Sequence, residues 1–326
     1  GLEYLVHLNS EDNMKGLVRA SGDYFRAMRH VQVPGVDAIW RQIWPGAVAD
    51  FPKFASSAAH LYGRPRAFTE SFAVYGRGLT LQQARWVMDQ QFVRGINLFQ
   101  TMLFLSDPRE FREYFHPPDW RQSPQWPQFP LLASYANRAS TLLTAGRPAA
   151  QIALFYPTAS LWLSDDAPGR SVLQIAHRLL EAQHDFDFLD EQGLAAAKLS
   201  STLTNLSGQS YKAVLVPAGS AISQQAEARL RRFASAGGKV FLESGQPPVV
   251  YGNSFRDAAS HSWPWATPFN NLPTLPESDL QLDRDAHALR YLPRTLDGAS
   301  LYFLFNEGET PITARASLEA AAPSPF

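Results

Sequence analysis

Strand-like apolar runs return about every 30 residues through the first hundred positions, with helical stretches between them, and this rhythm limits the chain to few folds. The runs are "EYLVHLN" (Glu3–Asn9), Val36–Ile39 after the turn at "VPG", "RAFTESF" (Arg66–Phe72) and "INLFQTMLFL" (Ile96–Leu105). Helical composition fills Asn13–His30, and a helix starts near Asp50 with Pro52 in its first turn, where the missing N–H costs nothing. The next helix is delimited at both ends. Thr80 and Gln83 form a capping-box pattern, Ala84, Val87, Met88 and Phe92 fall at helical spacing, and Gly95 is a C′ glycine. Strands joined through helices return parallel, so the segment predicts consecutive βα units and a parallel sheet.

Polar residues stand at the carboxyl ends of those strands: His7, Asn9 and Glu11, then Asp37, Glu70 and Gln100. In a (β/α)8 barrel the strand ends and following loops converge on that face, where active sites form. A whole barrel needs eight units, and about four are present, so residues 1–147 read as the C-terminal half of a barrel with a Pro- and Trp-rich closing segment from Arg112 to about Gly146. A second rhythm follows. "QIALFYP", "FDFL", "YKAVLVPAG" and "KVFLES" are strands, with helices at Ser171–Gln183 and in "SQQAEARLRRFASAGG". Residues 148–275 therefore read as a doubly wound α/β domain of glutamine-amidotransferase-like type. It has no G-x-G-x-x-G after its first strand, no P-loop and no cysteine, so a structural role is expected of it rather than nucleotide or amidotransferase chemistry. Three further runs, "HALRYLPRTL", "ASLYFLFNEG" and "TPITARASLE", joined by turn residues, make 276–326 the first strands of a β-sandwich.

Composition closes off several function classes. A formal charge of −1 gives no electrostatic reason to expect nucleic acid or an anionic membrane surface as partner, and no apolar run is long enough to span a bilayer. The cysteine count of zero removes disulfides, thiolate metal sites and cysteine nucleophiles, and leaves the compartment open. Eight Trp, 11 Tyr and 21 Phe supply faces on which sugars can stack, although aromatics also build ordinary cores. Gly1 in place of a methionine and the abrupt end at Phe326 suggest a piece of a longer chain. Half a barrel leaves sheet edges open, so the chain by itself is expected to be inactive.

Each candidate residue has a plain reading beside a functional one. Glu70 either pairs with Arg64, Arg66 or Arg77 or does acid/base work. Glu11 binds a sugar hydroxyl or a cation, or it caps the following helix. His7 is a core histidine or a ligand-binding one. Asp37, with Trp40 close by, binds sugar or serves its turn, and Tyr75 is a wall of the pocket. Trp86 is expected in packing and Asp89 on the surface. "HDFDFLDE" (His184–Glu191) reads as a strand with alternate acids in solvent rather than a metal site.

The blocks "GDYFRAMRHVQVPGVDAIWRQI" and "DFPKFASSAAHLYGRPRAFTESFAVYGRGLTLQQARWVMDQQFVRGIN" resemble the catalytic barrel of α-L-rhamnosidases of glycoside hydrolase family 106. The Thr69-Glu70 pair, the turn with Tyr75 and Gly76, Gly78-Leu79-Thr80 and the helix bearing Trp86 carry the resemblance. It implies inverting hydrolysis of α-L-rhamnosides from plant or microbial glycans, with Glu70 as the water-activating base. It also implies a general acid on an earlier strand, upstream of Gly1, calcium at the active site with no ligands assignable here, and a periplasmic or secreted protein. "ESFAVYGRG" stands where many relatives have a tryptophan-rich turn, so specificity does not carry over. A β-galactosidase-like glycosidase or a non-catalytic carbohydrate-binding barrel is the alternative.

Overall fold

The structure is a computed structural model that describes residues 2–104 and 117–319. The start of the closing segment at Arg112 and the last residues of the C-terminal run lie outside the described residues. Four parallel strands, β1 (Leu5–Val6), β2 (Val33–Ala38), β3 (Phe68–Ser71) and β4 (Leu98–Thr101), form one sheet in the order of the sequence. Between β1 and β2 lie α1 (Met14–Ser21) and α2 (Tyr24–Met28), with α3 (Pro52–Leu61) and α4 (Leu81–Phe92) in the next two crossovers. The first helical stretch is split because Gly22 takes φ +80°, after which the Asp23 side chain caps α2 by accepting from the Arg26 N–H. The second strand begins at Val33, ahead of the expected Val36, because Pro34 and Gly35 are tolerated next to a two-residue edge strand. For α4 both halves of the capping box form: the Thr80 hydroxyl accepts from the Gln83 N–H at 3.1 Å, and Gln83 Oε1 accepts from the Thr80 N–H at 3.0 Å. The helix closes at Phe92, and Gly95 follows with φ +90°.

A second sheet is built from β5 (Ile152–Phe155), β6 (Phe186–Leu189), β7 (Ala213–Val216), β8 (Lys239–Glu243) and β9 (Thr267–Phe269), all parallel in the order β9-β8-β7-β5-β6. Its central strands are buried on both faces and accordingly read as unbroken apolar runs. Helix α5 (Phe129–Thr144) leads from the first sheet, and α6 (Ala167–Glu181) and α7 (Gln224–Ser235) are the long crossovers of the second. An antiparallel hairpin, β10 (Leu289–Leu296) with β11 (Ala299–Asn306), follows, and β10 also pairs with Arg147–Pro148. Ala316–Leu318 pairs with Leu280–Leu282.

Helix α3 lies between the two sheets, and every one of its residues is buried. One side packs on β2 and the other on β6, so its polar side chains must find partners in the second sheet. Lys53 Nζ is 2.7 Å from Asp185 Oδ1, His60 Nδ1 is 2.9 Å from Asp187 Oδ1, and the Tyr62 hydroxyl donates to Asp190 at 3.0 Å. The Tyr211 hydroxyl adds a bond of 2.9 Å to Asp187. This corrects the expectation of solvated acids in His184–Glu191: Asp185 and Asp187 are buried, and their counter-charges come from a helix more than a hundred residues earlier. Asp89 is likewise not on the surface but buried in α4, where it accepts from the Tyr135 hydroxyl of α5.

Candidate active site

Strand alternation decides which side chains of the first sheet can reach a ligand. In β3, Thr69 and Ser71 are fully buried toward the helices, where Ser71 meets the Gln91 amide of α4 at 3.2 Å. Phe68 and Glu70 take the other face. Phe68 is buried beneath Glu70 and lies across β2 at Gly35, where a Cβ would sit 2.0 Å from its ring, so no larger residue fits there. Above this floor the ladder puts Asp37, Glu70 and Gln100 side by side on three neighbouring strands, at their carboxyl ends.

His7, just beyond β1, joins the group. Its Nε2 is 3.4 Å from Glu70 Oε2, and its Nδ1 lies 2.7 Å from the Leu8 carbonyl oxygen, which can only accept. Nδ1 therefore carries a proton, and a second proton on Nε2 turns the contact with Glu70 into a charge-assisted bond. Burial works against that charge, but the Leu8 carbonyl and the carboxyls of Asp37, Glu11 and Glu70 outweigh it and raise the His7 pKa. Glu11 is enclosed behind His7 and accepts from the Leu8 N–H at 2.7 Å through Oε1, while Oε2 has no hydrogen-bond partner. Burial pushes its pKa up to about 8, so it holds a proton at neutral pH. Asp37 is half-buried with Oδ1 unpartnered, and burial, reinforced by Glu70 and Asp12 and opposed by His7, raises it to about 6. Glu70 keeps part of its side chain open to solvent, at 23%.

The loops that rim this group are strained. Among the described residues eight non-glycine positions have positive φ, and five of them, Ser10, Trp40, Arg41, Phe72 and Val74, lie in the loops after β1, β2 and β3. Such conformations cost about 1–3 kcal/mol each and persist where surrounding bonds over-determine them, which is common at functional sites. Here the Arg41 guanidinium donates twice to the Tyr75 carbonyl, at 3.0 and 2.8 Å, and the Trp40 N–H donates to the Ala73 carbonyl at 3.1 Å. The two loops are thereby tied together.

The sequence-expected residues thus separate. His7, Glu11, Asp37 and Glu70 come together, and Trp40 is an exposed ring on the rim at 45%. Tyr75 is not a pocket wall: it is fully buried and donates its hydroxyl to the Ile43 carbonyl, so it supports the loop from beneath. The sequence did not point to Arg41 or Gly35; their roles come from a carbonyl and a ring brought over by the next strand. Among the described residues no group of three or more His, Asp or Glu is placed to hold a metal ion. None of the helices in the described residues is long and apolar enough to cross a membrane.

The profile of glycoside hydrolase family 106, described as α-L-rhamnosidase, matches residues 8–264. No curated protein sequence matches the chain. Among solved structures, the chain resembles a rhamnosidase from Novosphingobium sp. PP1Y, with TM-score 0.61 and 18% identity over 87% of this chain and 30% of that one. It also resembles a GH42 exo-carrageenase from Bacteroides ovatus, with TM-score 0.60 and 15% identity over 92% and 45% of the two chains. A GH42 β-galactosidase from G. stearothermophilus gives TM-score 0.54 and 15% identity over 97% and 50%. The chain thus spans between about a third and a half of the length of these proteins, and at such identities they show a shared mixed α/β fold.

Proposed function

The chain belongs to glycoside hydrolase family 106, the α-L-rhamnosidase family, and from that premise we propose that it carries the water-activating side of an inverting α-L-rhamnosidase site. In this reading the first sheet is the C-terminal half of a (β/α)8 barrel over residues 1–147. The five-stranded sheet is a doubly wound domain over 148–275, and the hairpin opens a β-sandwich over 276–326. The family resemblance further puts the protein in the periplasm or outside the cell, with a rhamnoside from plant or microbial glycans as substrate.

The observation that carries the reading is the place of Glu70: a part-exposed carboxyl at a strand end, beside the His7 imidazole, over the buried Phe68 ring. In inverting hydrolysis the base takes a proton from water as its oxygen bonds to the anomeric carbon. The glycosidic C–O bond breaks on the other face, and the leaving oxygen takes a proton from the acid. Glu70 is the base, and the His7 ring at 3.4 Å fixes its orientation. Asp37, close to half-protonated near pH 6, accepts from or donates to a sugar hydroxyl, and Trp40 offers its ring to the apolar face of the sugar.

The family resemblance puts the general acid on an earlier strand of the barrel. Asp37 and Glu70 are register neighbours on adjacent strands whose backbones lie about 4.8 Å apart, whereas the acid and base of an inverting site stand ~6.5–9.5 Å apart to leave room for a water. The same closeness supports a second reading, in which the two are a retaining pair at ~5–5.5 Å. One experiment separates them. The full-length gene product, wild type and Glu70→Gln, is assayed on an aryl α-L-rhamnoside with the product anomer followed by NMR. Inverted product and a loss in kcat on the order of 10²–10⁴-fold in the variant are expected. Retained product moves the assignment to the Asp37–Glu70 pair, and an active variant removes Glu70 from the chemistry.

A further inference from the structure

On the amino-terminal side of the first sheet, away from Glu70, five chain segments enclose a cavity of about 200 Å³. They are the stretch from Ala59 to Ala67, the turn Gly95–Asn97, Gly146–Pro148, Ser207 and Arg294. From the side chains that line it, we propose that this cavity is a binding site for a small phosphate-class oxyanion, held by Arg64, Arg147 and Arg294.

Three arginines line it and neither an aspartate nor a glutamate does, Arg294 buried, Arg64 half-buried and Arg147 exposed. Arg294 is buried, with Nε donated to the Ala145 carbonyl at 2.8 Å and Nη2 to the Gly146 carbonyl at 3.3 Å. No carboxylate forms a salt bridge with it among the described residues, and burial pulls its pKa down against the opposing charge of Asp185. Arg64 is half-buried, its Nε is enclosed without a hydrogen-bond partner, and no ion pair engages it among the described residues. Buried or half-buried guanidiniums are normally paired, and their planar fork matches a phosphate or sulfate bidentately.

The walls are held in place before any ligand arrives. Asn97 accepts from the Ala67 N–H at 2.9 Å and donates to the carbonyls of Pro65 and Leu143 at 3.0 and 3.3 Å, which ties its own turn to the Ala59–Ala67 stretch and to the end of α5. Gly146 has φ +66°, and a Cβ there would lie 2.2 Å from the Thr295 carbonyl oxygen, so that wall has no slack. The size sets the ligand class. At roughly 30 Å³ per water the cavity holds about seven waters, and it falls below the ~300 Å³ at which pockets for drug-sized ligands begin. An oxyanion or the phosphoryl end of a metabolite fits, and an oligosaccharide does not. The site is therefore separate from the sugar site in place and in chemistry.

The test is isothermal titration of the full-length protein with inorganic phosphate, at an ionic strength held constant with sodium chloride so that general screening cancels. Saturable one-site binding is expected, weakened at least tenfold in the Arg64→Gln/Arg147→Gln double variant. Both positions are outside the packed core, and unchanged circular dichroism verifies that the variant is folded. A sugar 1-phosphate titrated in parallel distinguishes the source of the phosphoryl group: equal affinity assigns the site to the free ion, and tighter binding of the ester to a phosphorylated metabolite. No saturable heat from either ligand, or equal binding in wild type and double variant, overturns the proposal.

Discussion

At the scale of single residues, Glu11 decides how the site behaves with pH. Its Oε2 is enclosed with no partner, and its pKa is raised to about 8, mainly by burial. Unfolding releases it to an ordinary carboxylate value, so between pH 4.5 and about 8 the folded state binds the extra proton and loses stability as pH rises. Glu11→Gln keeps the acceptor for the Leu8 N–H and removes the ionisation. The stability of the variant relative to wild type is therefore expected to be flat below pH 4.5. It then climbs by up to about 1.4 kcal/mol per pH unit and levels off above pH 8. Urea unfolding at pH 4, 6 and 9 measures this, and parallel curves for the two proteins would remove Glu11 from the titration. The sequence showed Glu11, His7, Asp37 and Glu70 as polar groups at strand ends because strand period and strand end are local properties. It could not show that Tyr75 turns inward, since that follows from the positive φ of Phe72 and Val74 and from a carbonyl offered by Ile43.

Among the elements, α3 carries the largest electrostatic load. Lys53 is fully buried within 2.7 Å of Asp185 and 3.9 Å of Asp187, and the Asp187 pKa is depressed to about 2: burial opposes ionisation, but His60, Lys53 and Tyr211 outweigh it. Removing the cation leaves the buried Asp185 without its ion-pair partner, while Asp187 keeps His60 and Tyr211. Lys53→Met is thus expected to cost about 3–5 kcal/mol, read from the urea midpoint at unchanged slope, whereas a loss below 1 kcal/mol would mean that water reaches these acids. The depressed Asp187 adds stability above pH 4 that is lost as pH falls toward 2. The element types were legible wherever the signal was local. The capping box fixed the start of α4, and "FDFL" fixed β6 to the residue. Acids were misplaced wherever their partner lay on a distant element, as with Asp187 and His60 or Asp89 and Tyr135. Nothing in the local pattern of an acid distinguishes a solvated position from one that a helix will cover.

The whole molecule is held together across its sheets. Besides the α3 network, Arg94 at the end of α4 is buried between Asp50 at 2.6 Å and Glu307 of the β11 end at 2.8 Å, and Arg290 of β10 meets Glu307 at 2.7 Å. Charges of one segment are neutralised by another, so residues 1–147 taken alone keep Lys53, His60 and Arg94 but lose Asp185, Asp187 and Glu307. That piece is expected to give neither a cooperative thermal transition nor near-ultraviolet dichroism, while the 326-residue chain gives one transition by both probes. A cooperative transition of the short piece would show that these ion pairs are dispensable. The sequence rhythm was enough for two parallel sheets and a hairpin, since each follows from strand spacing. The joints between them were not visible, because they are made by pairs more than a hundred residues apart. The place of α3 between the sheets also bears on how such proteins can be recombined. A chimera spliced at the tempting boundary near Gly146 would inherit the lysine from one parent and its aspartates from the other. Exchange between relatives should succeed only when helix and acids travel as a single heritable block.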